Sequence, residues 1–219
     1  MKTVQIEGDG RLPVGKILCL GKNYSAHARE MNSKVPSAPV IFMKPSTAII
    51  AGGEEIRIPG ISRNLHHEVE LVVAIGKEGK NIKAGKAFDF VLGYAIGLDM
   101  TLRDVQNEAK EEGHPWTVSK GFDTSAPLSN VIPKEQIPDP QKLTIICKVN
   151  GTVKQQGCTG DMVYPIEKII EYASTLFTLE RGDLIFTGTP EGVSQVKDGD
   201  KIEAELAGHI SITHTVRNA

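Results

Sequence analysis

Six residues, His66-His67-Glu68-Val69-Glu70-Leu71, open an apolar run that continues through Val72-Val73-Ala74-Ile75-Gly76. In an extended chain, residues two apart share a face. Glu68 and Glu70 therefore point one way and Val69 the other. His66 shares the face of the acids, and His67 that of Val69. Two carboxylates side by side repel unless something positive lies between them. Alone, a Glu-x-Glu pair reads as a half-solvated strand end. The apolar run behind it argues instead for a buried strand, with the acids at the mouth of a core. A third acid in a similar setting, Asp99, ends the run GYAIGLD just before a polar stretch. It reads either as a helix N-cap or as a third carboxylate of one site. Three carboxylates with no confirmed nitrogen or sulfur ligand favour a hard divalent cation, Mg²⁺ or Mn²⁺ ahead of Ca²⁺. A histidine beside two acids is more often a hydrogen-bonding neighbour, so His66 and His67 are not assigned as ligands.

Other residues have spacings that could do chemistry. His27 and Glu30 lie three apart in NYSAHAREM, so on a helix their side chains meet. By spacing alone they form an ordinary exposed pair. Arg103 and Gln106 share one side of a later helix in the same way, and Lys120 in SKGFDT reads by itself as a solvated cation. TGTPEGV, with Gly188 and Thr189, ends an apolar strand. It reads either as a tight turn or as a cradle of backbone N–H groups and the Thr189 hydroxyl for a carboxylate.

The elements that must position these groups are mostly strands. Residues 14–21, 40–45, 66–76, 183–193, 201–206 and 209–216 read as strands, and 142–157 as a hairpin turning on Asn150-Gly151. Residues 22–32 predict a short helix capped by Asn23 or Ser25, and 101–113 a polar helix started by Asp99 or Thr101. Residues 165–182 predict an amphipathic helix with Ile166, Ile169, Ile170, Ala173, Leu176 and Phe177 on one side. Many strands, few helices and no βαβ alternation point to an α+β fold with a large mixed sheet. With 219 residues and no linker, the chain reads as one domain, 1–219.

Composition narrows the function. The formal net charge of -2 argues against nucleic acid or an anionic membrane as partner. No apolar run is long enough to span a membrane. Cys19, Cys147 and Cys158 are unclustered, which fits reduced thiols and offers no zinc site. MKTVQIEGDGRLPVG has no hydrophobic signal core, so the expected location is cytoplasmic.

Taken in order, HHEVELVVAIG, YAIGLDMTLRDVQ, WTVSKGFDTSAPL and GDLIFTGTPEGV resemble the fumarylacetoacetate hydrolase superfamily over nearly the whole chain. The likeness is to its compact acylpyruvase/oxaloacetate decarboxylase branch. It implies a sheet rolled into a sandwich- or barrel-like core, and Glu68, Glu70 and Asp99 as ligands of Mg²⁺, with Mn²⁺ as substitute. It implies that Lys120 enters the metal site, where it offsets carboxylate charge and permits an anionic substrate. It also places Arg103, Gln106, Gly188 and Thr189 at the substrate. KILCLGKNY and FMKPST match too, with Lys44 as a structural or site residue. The His27–Glu30 pair would sit on a mobile lid helix, 22–32, with Glu30 orienting His27 as general base. The implied activity is cleavage of acylpyruvates to pyruvate and a carboxylic acid, or decarboxylation of oxaloacetate. Tautomerisation of oxaloacetate is a further outcome of the same site. Alternatives are an isomerase/decarboxylase acting on an unsaturated 2-oxo dioate, or a non-catalytic 2-oxo-acid binder. The family implies a homodimer.

Overall fold

The computed structural model describes residues 2–8, 10–30 and 36–219. Its largest sheet places Val40–Lys44, Ile17–Gly21, Leu184–Phe186, Val69–Ile75, Val91–Leu98, Ala126–Leu128 and Ile49–Ala51 side by side. The sheet is mixed: Leu184–Phe186 runs parallel to Ile17–Gly21 and antiparallel to Val69–Ile75. A five-stranded sheet faces it, in the order Thr152–Cys158, Thr144–Val149, Lys201–Leu206, Ile210–Asn218 and Ile56–Ile58. This is the expected α+β architecture, with a curled mixed sheet and few helices.

The two faces of the strand Val69–Ile75 enter different cores, which is why every residue in it except Glu70 is apolar. Val69, Leu71, Val73 and Ile75 pack with Ile145, Ile202, Leu206 and the helix Ile166–Leu176. Val72 and Ala74 pack on the other side with Leu12, Ile17, Cys19 and Phe186. Each large apolar side chain so buried contributes about 1.5–3 kcal/mol relative to exposure. Glu70 has the parity of Val72 and Ala74, so it extends the row on the side of the smaller core.

The hairpin forms where expected. Asn150 and Gly151 both take positive φ, 50° and 77°, as a two-residue turn between twisted strands requires. Other expectations need correction. The run 66–76 is not one strand: Leu65–His67 belongs to a three-stranded sheet, and the chain changes sheets at Glu68. There the Val69 N–H donates to the Gln155 side chain instead of to a strand. The helix expected at 165–182 ends at Leu176, because Phe177 is already extended. Leu176 is exposed, and the buried face is Ile166, Ile169, Ile170 and Ala173. Only Leu184–Phe186 of 183–193 is strand. The helix Arg103–Glu111 follows Leu102 with no side-chain cap, so neither Asp99 nor Thr101 caps it. The first helix spans Ser25–Glu30, and the end of the 22–32 expectation lies outside the described residues. Asn23 does not cap it. Its amide donates to the carbonyls of Thr187 (2.7 Å) and Tyr164 (3.1 Å), and its Oδ1 accepts from the Tyr164 N–H. It thus pins the root of the helix to the Thr187 turn.

Candidate active site

Val69–Ile75 and Val91–Leu98 pair antiparallel with Val69 opposite Leu98 and Glu70 opposite Gly97. Just past the paired ends, the Asp99 N–H donates to the Glu68 carbonyl at 2.8 Å. This register brings the three acids together. One carboxylate oxygen from each of Glu68, Glu70 and Asp99 lies within 4.8 Å of the others, and all three side chains are buried.

Buried carboxylates need compensation. Lys120 Nζ lies 2.6 Å from both Glu68 Oε2 and Asp99 Oδ2. Arg103 pairs with Glu68 Oε1 and donates to Gln106 Oε1 at 2.6 Å. Lys44 Nζ lies 2.8 Å from Asp99 Oδ1 and donates to the Lys120 carbonyl. Lys44 is therefore part of the cluster, as the second cation on Asp99. Burial works against the Glu68 carboxylate, yet the charges of Lys120 and Arg103 hold its pKa well below the ordinary value. Lys120 is likewise desolvated, and Asp99 and Glu68 overcome this to raise its pKa. Glu70 is different. Its carboxylate accepts from the Gly188 N–H at 2.7 Å. Burial, and then the Asp99 and Glu68 charges, push its pKa well above the ordinary 4.5.

The cluster fits a hard divalent cation. It offers three buried carboxylates, each with an oxygen within 4.8 Å of the others, the donor set that such a cation takes. A cation in this cluster would need the Glu70 carboxylate, whose charge the metal-free site disfavours. Binding is therefore expected to release a proton, and affinity to weaken as pH falls toward the ordinary glutamate range. Calorimetric titration with Mn²⁺ in buffers of different ionisation enthalpy reads the proton count directly.

Gly188 sits at φ 97°, and a Cβ there would lie 2.7 Å from the Asn23 Cβ. Its N–H is committed to Glu70, so it orients a donor of the cluster and is not free to hold a substrate carboxylate as the sequence suggested. Gly188→Ala is expected to cost about 1–3 kcal/mol of stability through the strained φ and to weaken Mn²⁺ binding. Thermal melts and Mn²⁺ titration measure the two effects.

One cavity joins the carboxylates to the other candidates. Glu68, Glu70, Asp99, Lys120, Arg103 and Gln106 line it, and so do His27 and Thr189. His27 is buried, with Nδ1 3.1 Å from Glu30 Oε2, while Glu30 Oε1 accepts from the Gly192 N–H at 3.0 Å. The pair is thus fixed to the TGTPEGV turn, and Nε2 remains for proton exchange. The Thr189 hydroxyl accepts from Gln155 Nε2 at 2.8 Å, which leaves its proton to donate. His66 and His67 do not line the cavity. His66 is bonded to Asn64 Oδ1, and burial, then the Arg103 charge, lowers its pKa to about 4. His67 uses both ring nitrogens, on Gln155 Oε1 and Ser194 Oγ.

Sequence reasoning missed Gln155, whose carbonyl oxygen holds Val69 and His67 while its amide holds Thr189. It lies 86 residues from Val69, and no local pattern marks it. It also missed Lys22, Phe42, Lys110 and Trp116 on the cavity wall.

The description "fumarylacetoacetate (FAA) hydrolase C-terminal" matches residues 16–217. The chain belongs to the fumarylacetoacetate hydrolase family. Within this family, the chain is 52% identical over 200 residues to human oxaloacetate tautomerase FAHD1, mitochondrial, covering 91% of this chain and 90% of that protein. The mouse protein of the same name is 50% identical over 203 residues, covering 93% and 92%. A solved relative, fumarylpyruvate hydrolase from Pseudomonas aeruginosa in complex with Mn²⁺ and pyruvate, superposes with a TM-score of 0.96 at 38% identity, covering 100% of this chain and 96% of that one. Another, 5-carboxymethyl-2-hydroxymuconate delta-isomerase from Mycobacterium smegmatis, gives 0.85 at 38%, covering 95% and 80%. Hydrolase and isomerase names thus occur among the fumarylacetoacetate hydrolase family members of this fold. No helix among the described residues is long and apolar enough to cross a membrane.

Proposed function

We propose that the protein is a Mg²⁺-dependent enzyme, also served by Mn²⁺, that interconverts the keto and enol forms of oxaloacetate. The observation that carries this reading is one cavity holding both a buried three-carboxylate cluster and a histidine backed by a carboxylate. The relatives named oxaloacetate tautomerase support it.

Glu68, Glu70 and Asp99 would hold the cation, which when bound supplies Lewis acidity toward the oxygens of a 2-oxo acid. The protein's own residues do the rest. Thr189 donates its hydroxyl proton to the substrate carboxylate, and Gln106 helps orient the substrate. His27 Nε2 takes a proton from C3 of the keto form, the C–H electron pair moves into a C2–C3 double bond, the C2–O π pair moves onto the oxygen, and the protonated His27 gives the proton to that oxygen, directly or through water. Reversal regenerates the keto form. Glu30 holds the imidazole through Nδ1 and stabilises the charge it acquires. Lys120 and Arg103 stabilise negative charge developing on the substrate oxygen.

A second reading is C–C cleavage of acylpyruvates, favoured by the likeness to fumarylpyruvate hydrolase. There His27 would activate water. Oxaloacetate decarboxylation and isomerisation of an unsaturated dioate use the same carboxylate cluster. A panel of oxaloacetate, acetylpyruvate and a hepta-diene-dioate, with Mg²⁺ and with EDTA, separates these reactions. Tautomerase activity that EDTA abolishes is the expected result. No turnover of any substrate sinks the enzyme reading and leaves the non-catalytic binder.

We also propose one catalytic domain over residues 1–219, with 22–32 as its lid, assembled as a homodimer. Light scattering of the purified protein tests the assembly. The cytoplasmic expectation rests on the N-terminal stretch alone and stands beside relatives named as mitochondrial, so fractionation of the source cells decides it.

A further inference from the structure

The cavity wall that leads away from the carboxylates is aromatic and ends in two cations. Lys120 Nζ, between Glu68 and Asp99, lies 5.0 Å from the centroid of Phe42. Phe42 meets Trp116 edge-on, with centroids 5.8 Å apart at 62°. Lys110 Nζ lies 5.6 Å over the Trp116 ring. The chain at Gly21 also runs beside this indole, where an added Cβ would sit 3.6 Å from Trp116 Cζ3. Lys22 follows directly and lines the cavity together with Lys110.

These two lysines differ from the cations of the cluster. Lys44, Arg103 and Lys120 are paired with Glu68 and Asp99. Among the described residues, neither Lys22 nor Lys110 has an ion pair or a side-chain hydrogen bond. The Lys110 charge is also disfavoured where it stands. Burial lowers the Lys110 pKa, the Arg103, Lys120 and Lys22 charges lower it further, and the Glu68 charge opposes them. Lys22 takes φ 61°, a left-handed backbone that a long side chain seldom adopts. Two ammonium groups without an ion pair, Lys22 half-buried and Lys110 exposed, stand at the mouth of one cavity and make a site that an anion would complete.

We propose that Lys22 and Lys110 form a subsite for a second carboxylate, so that the enzyme selects 2-oxo acids carrying two carboxylates over those carrying one. The 2-oxo end would sit at the cation that Glu68, Glu70 and Asp99 would hold, with Thr189 donating to its carboxylate, and the body of the substrate would lie along Phe42 and Trp116. This rests on the reading of the cluster as the docking point for the 2-oxo group. It does not depend on which reaction follows.

The test is equilibrium binding to the Mn²⁺-loaded protein, using a matched five-carbon pair. 2-Oxoglutarate has the second carboxylate and 2-oxopentanoate has a methyl group in its place. The wild type is expected to bind 2-oxoglutarate more tightly. Lys110→Met and Lys22→Met are each expected to reduce that preference about ten-fold, the scale of one charge-assisted contact. Lys110→Glu should reverse it. Thermal melts of each variant confirm that it is folded. A wild type without preference, or variants that weaken both ligands equally, would overturn the subsite. Normal discrimination in binding without turnover of oxaloacetate would leave the subsite standing and remove only the tautomerase reading. Binding of neither acid by the wild type would overturn the subsite together with its docking point.

Discussion

His27→Ala is expected to lower the turnover of oxaloacetate tautomerisation by roughly 10²–10⁴-fold, the usual scale of a positioned acid–base group. The metal should stay bound. His27 is not one of the clustered donors, which are Glu68, Glu70 and Asp99. It shares the cavity with them and is tied through Nδ1 to Glu30. The variant therefore removes a proton acceptor and leaves the donors and their cations in place. The loss should fall on kcat, with KM little changed, because the ring acts on the proton in flight and not on the bound carboxylate. Glu30→Gln should show a smaller loss of the same kind. It keeps a group beside the imidazole and the Gly192 N–H but removes the charge. Loss of Mn²⁺ affinity in His27→Ala would place the histidine in the metal cluster and contradict the assignment.

Lys120→Met should have the largest effect on stability. The ammonium is buried and bridges Glu68 and Asp99 at 2.6 Å each. Methionine fills similar space without charge, so two buried carboxylates lose a shared partner. Removing one side of a buried ion pair costs about 3–5 kcal/mol, because the remaining charge stays desolvated. In a chain of this length that is roughly 6–20 °C in Tm. The loss should be conditional. A divalent cation neutralises the same carboxylates, so saturating Mn²⁺ should recover much of it and raise the variant's Tm by more than the wild type's. Activity should stay low with metal present, if Lys120 also has its proposed role of stabilising charge that develops on the substrate. Melting curves with EDTA and with Mn²⁺ check this. Equal metal shifts in both proteins would mean that the lysine and the cation do not share the carboxylates.

The parts legible in the sequence were those written locally. Period-two alternation placed Glu68 and Glu70 on one face, and the apolar run behind them marked a covered sheet. Asn150-Gly151 fixed a hairpin because that turn needs two residues at positive φ. The three-residue spacings brought His27 to Glu30 and Arg103 to Gln106. What escaped depends on partners far away along the chain. The break at Glu68 exists because Gln155, from another sheet, takes the Val69 N–H. Gly188 read as an anion cradle, yet its N–H meets Glu70 from 118 residues away. Lys44 stood as a structural or site residue with no partner named, and its place on Asp99 comes from the fold, just as Lys22 and Lys110 differ from surface lysines only through tertiary neighbours.

The most direct test of the central claim is a Mn²⁺ titration of metal-stripped protein. Free Mn²⁺ is followed by electron paramagnetic resonance, and tautomerase activity is read in the same samples. The account predicts one bound Mn²⁺ per chain, activity rising in proportion to the bound ion, and loss of both in Glu70→Gln. Full activity in the stripped protein, or stoichiometric Mn²⁺ binding by Glu70→Gln, would contradict it.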